Sequence, residues 1–366
     1  MICRNLFVLA ALLAFVFALD AQAVEADVKQ PIKVGFIYVG SASDLGWNNA
    51  HDQGRQYLEA AMPGQVITTR VENVPENSDA ERVMEKLIAQ GNKVIFATAY
   101  GQLEPELRVA SRHPEVYFMH CGRPVPSLKN VGSYFGPYYE PFYVAGMLAG
   151  TMSKTGNVGY VGAHPIPALL WCINALTLGA RSVNPNVKVH VVWTNSWLDP
   201  AMEAEASRGL LERGNDVLAS NLDTSIVVAK TAEKAKAYAV GANYDINQYV
   251  PNSWLTGQSW NWGPLYVKIV QSIQEHRFKP GNLRYSLKDG YVALASFGRS
   301  VPKPLQADAS RLMASIKNGE PVFKPGLTDR DGKVRLTSGQ HPTEEWLDKM
   351  DWFVEGVDGQ LPKKLN

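Results

Sequence analysis

The chain has 366 residues, a hydrophobic fraction of 46% and a formal net charge of +1. That length accommodates two domains of ordinary size, and that composition is globular. The near-neutral balance gives neither a basic field for nucleic acid nor an acidic field for cationic partners, so no nucleic-acid partner is expected. Residues 1–23 read as a cleavable signal peptide, with Arg4 in a charged start, an apolar run over 6–19 and the small-residue site Ala21-Gln22-Ala23. Cys3 precedes the apolar run and no cysteine stands at the cleavage point, so the mature chain is expected to start near Val24, free in a periplasm and not lipid-anchored. No later apolar run approaches the length of a membrane span.

The stretch 33–54 follows as strand, loop and helix start. Ile32, Val34, Phe36, Tyr38 and Val39 form a β-prone apolar run that stops at Gly40, and a helical pattern then sets Trp47, Ala50, Gly54, Tyr57, Leu58 and Ala61 on one side. In an open α/β sheet, ligands bind at the carboxyl ends of strands and against helix N-termini, which places Asp44 and Trp47 where a ligand would be read. The same spacing suits Asp44 as a simple N-cap and Trp47 as a core residue. Strands are expected at 66–74, 94–98, 116–121 and 131–135, with helices at 79–90 and 104–111.

A second set then begins, with helices at 139–152, 168–183, 200–213 and 225–235 and strands at 157–161, 187–194, 217–220 and 237–241. An amphipathic helix at 260–276, a strand at 291–297, a helix at 305–317 and a helical stretch at 346–354 complete the chain. The expected fold is α/β: two doubly wound parallel-sheet lobes joined by a multi-crossover hinge, with 31–135 and 258–297 in the first lobe and 136–257 and 298–366 in the second. A hinge of several crossings favours rigid-body closure.

The start K-V-G-F-I-Y-V-G with Asp44, Trp47 and Gly54, then N-V-G-S-Y-F with E-P-F-Y-V-A-G-M-L-A-G, G-N-V-G-Y-V-G and the late M-D-W-F-V-E-G-V-D-G-Q-L-P, resembles the basic-membrane-protein family of ABC-transporter substrate-binding proteins, the purine-nucleoside receptor group. The resemblance runs over about residues 31–362 and implies a type I periplasmic binding protein. It implies a purine clamped between one aromatic ring from each lobe, here Trp47 and Trp197, with Asp44 as the acid that reads the base. Where the family holds ribose hydroxyls with an Asp and a Lys, this chain has Asn243 and Trp260. The ligand expected from that departure is a free base such as adenine, guanine or hypoxanthine, delivered by a monomeric receptor to an ABC permease in the inner membrane.

Tyr100 follows the third strand and is a further candidate contact; Asp245 lies two residues beyond Asn243 and points the same way on extended chain. Trp171, Trp254 and Trp262 read as core, His120 as packing, and Asn48 and Asn174 as either donors to a base or capping groups. Cys121 and Cys172 sit in apolar surroundings and are expected as two buried thiols rather than a disulfide. No G-x-S-x-G, P-loop, H-E-x-x-H or dinucleotide fingerprint is present, so neither a cofactor nor a metal is expected. A sugar receptor, whose pyranose would also suit Trp faces, and an exported purine-directed hydrolase are the competing readings.

Overall fold

The run I-K-V-G-F-I forms β1 (Ile32–Ile37), and Val34, Phe36 and Ile37 are fully buried because β2 (Val66–Val71) and β3 (Val94–Ala97) pair with it in parallel on either side. This computed structural model describes residues 30–361, so the leader expected at 1–23 lies outside the described residues. Helices α1 (Trp47–Ala61), α2 (Ser78–Ala89) and α3 (Leu103–Arg112) connect the early strands, and β4 (Tyr117–Cys121) and β5 (Val131–Phe135) extend the sheet in parallel. The second lobe runs through α4 (Tyr139–Met152), β6 (Asn157–Gly162), α5 (Pro167–Val183), β7 (Lys188–Trp193), α6 (Pro200–Glu212), β8 (Val217–Asn221), α7 (Ile226–Lys234), β9 (Tyr238–Gly241) and β10 (Trp254–Trp260). The chain then returns through α8 (Trp262–Gln274), which packs on α1, and β11 (Gly281–Arg284), before β12 (Val292–Leu294), α9 (Lys303–Lys317), α10 (Glu344–Asp348) and β13 (Val357–Asp358).

The six-stranded sheet has the order β11-β5-β4-β3-β1-β2 and the seven-stranded sheet the order β12-β10-β9-β8-β6-β7-β13. Both are parallel except where β12 runs antiparallel to β10. The chain is therefore two wound α/β units, and the crossings between them lie side by side: Tyr285 donates its N–H to the Phe135 carbonyl and Asn261 donates to the Tyr291 carbonyl. Close packing of α4 on α5 needs glycine, since a Cβ on Gly146 would sit 2.0 Å from the Leu176 carbonyl oxygen.

Three expectations are corrected. The strand at 291–297, placed with the first lobe, shortens to β12 and pairs in the second sheet, so only α8 and β11 return. The helix expected from residue 260 starts at Trp262, because residues 254–260 form β10; Gly241 of β9 lets the Trp254 ring pack there, since a Cβ on it would meet that ring at 2.5 Å. The helix expected over 346–354 ends at Asp348, because Asn174 takes the next backbone groups: its side chain accepts from Val354 N–H and donates to the Trp352 carbonyl.

Beside the hinge, burial pushes the Glu140 carboxyl up to about 7, even though Leu287 N–H donates to it at 2.8 Å; Asp289 adds to the rise. A folded-state value above the ordinary 4.5 means that ionisation opposes folding progressively from about pH 4.5 to about pH 7. Glu140→Gln is therefore expected to raise the melting temperature by about 2–4 °C at pH 8 and to leave it unchanged at pH 4. A lower melting temperature at pH 8 would contradict this.

Candidate ligand-binding cleft

The carboxyl ends of strands from both sheets face one another across a cleft. Trp47, Tyr100 and Phe135 line it from the first lobe, and Tyr138, Trp197, Asn221, Asp223 and Asn243 from the second segment of the chain. Its walls are mainly apolar, with aromatic rings contributed from both sides, as in sites that take a small molecule. Among the described residues, no lysine or arginine lines it, while two carboxylates, Glu76 and Asp223, do.

Trp47 opens α1. Its indole N–H donates to the Thr98 carbonyl at 2.9 Å, and its ring meets His51 edge-on at 4.7 Å and Trp260 edge-on at 6.0 Å. Burial holds the His51 imidazole down to about 3, so this support is neutral. Trp197 sits in the loop after β7, edge-on to His164 at 5.1 Å, and its carbonyl accepts from Asp223 N–H. Both indoles are half-buried and line the same cleft. Tyr100 also lines it, exposed at its mouth with the Arg123 guanidinium over its ring.

The lobes touch directly. Trp47 N–H donates to the Asp223 carbonyl at 2.7 Å, and Gly46 forms an antiparallel bridge with Thr224. A Cβ on Gly46 would lie 1.8 Å from that Asp223 carbonyl oxygen, so the approach requires glycine.

Three expected contacts, Asp44, Asp245 and Trp260, lie off the lining of this cleft. Asp44 does not line the cleft: its carboxylate accepts from the backbone N–H groups of Gly46, Asn48 and Asn49 and from the Asn48 amide, at 2.8–2.9 Å, and so caps α1. Burial raises its pKa against the lowering effect of those bonds. Asp245 also turns away, accepting from Asn247 N–H at 3.0 Å and Ser296 N–H at 2.8 Å to tie down its own loop.

The family model described as ABC transporter substrate-binding protein, PnrA-like, matches residues 32–319. The chain belongs to this PnrA-like substrate-binding family. A purine-binding protein of Brucella abortus is 35% identical over 339 residues, covering 92% of this chain and 96% of that protein. A putative ABC transporter glucose-binding protein of Haloferax volcanii is 31% identical over 91% of this chain and 82% of its own length. The solved ABC solute-binding protein of Conexibacter woesei superposes with a TM-score of 0.66 at 22% identity, over 80% of this chain and 100% of that one. As a PnrA-like substrate-binding protein, the chain takes a small-molecule ligand, hands it to a membrane permease and works outside the cytoplasmic membrane; the family is one of binding proteins. Among the described residues no helix is long and apolar enough to cross a membrane.

Asn243 and Trp260 are bonded to each other. Trp260 donates its indole N–H to Asn243 Oδ1 at 2.9 Å, and the Asn243 amide donates to the Leu222 carbonyl at 2.8 Å. Trp260 does not line the cleft; it stacks on Trp262 at 4.4 Å and packs on Phe135 and Tyr138. It acts behind the wall rather than at it.

Asp223, Asn221, Phe135, Tyr138 and Glu76 line the cleft without having been singled out from sequence. The signal was available for Asn221 and Phe135, which end β8 and β5 at the carboxyl edge where such folds bind ligands. Cys121 ends β4, lines the cleft and hydrogen-bonds Tyr134, whereas Cys172 lies beside Tyr138 in the other lobe; both are free thiols. His120 pairs with Glu106 at 2.9 Å in full burial, which pushes the carboxyl up and the imidazole down to about 3, leaving a neutral pair. Asn48 and Asn174 serve backbone and cap groups, and Trp171, Trp254 and Trp262 are core.

Proposed function

We propose that the cleft binds a free purine base, stacked between Trp47 and Trp197, and that the liganded closed form delivers it to an ABC permease. The observation that carries this reading is two indoles from opposite lobes lining one aromatic cleft. A flat heterocycle offset-stacked on an indole gains roughly 0.5–1.5 kcal/mol per pair beyond its area burial. The preference for base over nucleoside is supported by the Trp260–Asn243 bond, which uses both sugar-contact positions on each other. The Brucella relative's name, a purine-binding protein, points to the same ligand class. Secretion behind the leader at 1–23, a periplasmic location without a lipid anchor and action as a monomer belong to the same proposal, as does Tyr100 as a contact at the cleft mouth.

Calorimetric titration of the ligand-free protein tests this. Adenine, guanine or hypoxanthine is expected to saturate at one per chain, at least about tenfold tighter than the matching nucleoside, a gap of about 1.4 kcal/mol. Tighter nucleoside binding would overturn the base preference. The Haloferax relative's name, a putative glucose-binding protein, favours a sugar as the second reading, and glucose binding in the absence of purine binding would establish it. Trp197→Ala is expected to weaken the base by roughly 30-fold, about 2 kcal/mol, as removal of a buried aromatic anchor does; unchanged affinity would remove Trp197 from the site.

A further inference from the structure

Asp223 lines the cleft half-buried, and while its backbone N–H and carbonyl are engaged, its carboxylate has no hydrogen-bond or ion-pair partner among the described residues. A carboxylate that lines the cleft with no protein partner keeps its acceptor sites free for a ligand donor. Its place in the cleft defines which donor. Asn243 reaches back to the Asp223 carbonyl at 3.5 Å and is itself bonded to Trp260, so on the purine reading above Asp223 stands beside the end of the cleft where a sugar would attach. A free purine carries an imidazole-edge N–H there; a nucleoside carries the glycosidic bond instead.

We propose that Asp223 is the specificity-determining residue that accepts the imidazole-edge N–H of a free purine, so that the cleft distinguishes bases from N9-substituted purines by a missing donor as well as by bulk. This rests on the purine reading above. An ionised carboxylate only accepts, and a site built around such a bond rejects the analogue lacking the donor far more strongly than an apolar pocket rejects a methyl group. Burial pushes the Asp223 carboxyl up to about 7, with Asp44 on the loop after β1, Glu76 on the loop after β2 and Glu203 on α6 each raising it further. His164 sits beside Trp197 and near Glu76, its imidazole held down chiefly by burial. Donation from a ligand lowers the Asp223 pKa, so binding gains strength as pH rises toward about 7 and levels off above it.

The experiment compares adenine with 9-methyladenine on the wild-type protein, Asp223→Asn and Asp223→Ala, by calorimetry at pH 6 and pH 8. Wild type is expected to bind adenine roughly 10- to 100-fold more tightly than 9-methyladenine. Asp223→Ala is expected to weaken adenine by a similar factor, leave 9-methyladenine nearly unchanged and so collapse the ratio. Asp223→Asn, which keeps the shape and can be checked for an unaltered melting curve, is expected to abolish the rise in adenine affinity between pH 6 and pH 8. A ratio that persists in Asp223→Ala, or an unchanged pH profile in Asp223→Asn, overturns the role given to Asp223 while adenine binding itself stands. Failure of adenine to bind wild type removes the purine reading as well.

Discussion

Gly46→Ala is expected to raise the dissociation constant for the cleft's ligand by about 100-fold or more while leaving the ligand-free protein as stable as wild type. The added Cβ would lie 1.8 Å from the Asp223 carbonyl oxygen, in the lobe opposite. Something must give, and that oxygen is backbone already held by the Trp47 N–H at 2.7 Å. On the lobe closure proposed above, the cost falls on the closed form. A ligand shifts an open–closed equilibrium only by its extra affinity for the closed state, and each 1.4 kcal/mol of penalty on that state weakens binding about tenfold. Small-angle scattering gives the direct reading: wild type contracts on adding ligand, and Gly46→Ala does not. Wild-type affinity in the variant would show that this contact is not needed for binding.

The second large effect concerns ligand class. Asn243→Asp combined with Trp260→Lys is expected to raise nucleoside affinity by at least about tenfold while weakening the free base, because hydrogen bonds to charged groups contribute about 1.5–3 kcal/mol each. Asn243 has φ +70°, a conformation that Asp also tolerates, so the first change is local. Trp260 is nearly buried and stacked on Trp262, so the second change also removes core packing, on the order of 3–5 kcal/mol. The melting temperature of the double variant must therefore be followed beside its affinities. A folded double variant with unchanged selectivity would show that the Trp260–Asn243 bond does not set the choice between base and nucleoside.

Most of the architecture was legible because buried parallel strands write themselves as continuous apolar runs. The runs at β1, β4 and β5 and the helices α4, α5 and α6 fall within a residue or so of their expected places. β10 was missed because T-G-Q-S carries turn residues, and its Gly257 answers to Gly241 and the Trp254 ring packed against it rather than to local propensity. β11, with the polar sequence G-N-L-R, owes its pairing to β5 and to the crossing beside it, which no local pattern records. At the cleft, Trp47 was readable from its place after β1 and Trp197 from the family resemblance, and both line it. Asp44 misled because the same acid at the same spacing serves either a ligand or the first turn of a helix, and the backbone N–H groups of α1 take it. Asp223 was silent because it is marked only by its lack of partners, a property of the folded cleft.

The most direct measurement is a crystal structure of the protein with whatever small molecule copurifies, its identity fixed by mass spectrometry of the same preparation. The expected result is a planar purine base between the Trp47 and Trp197 rings, with the Trp260–Asn243 bond intact behind it. A nucleoside or a hexose in that position, or a ligand touching neither indole, would contradict it.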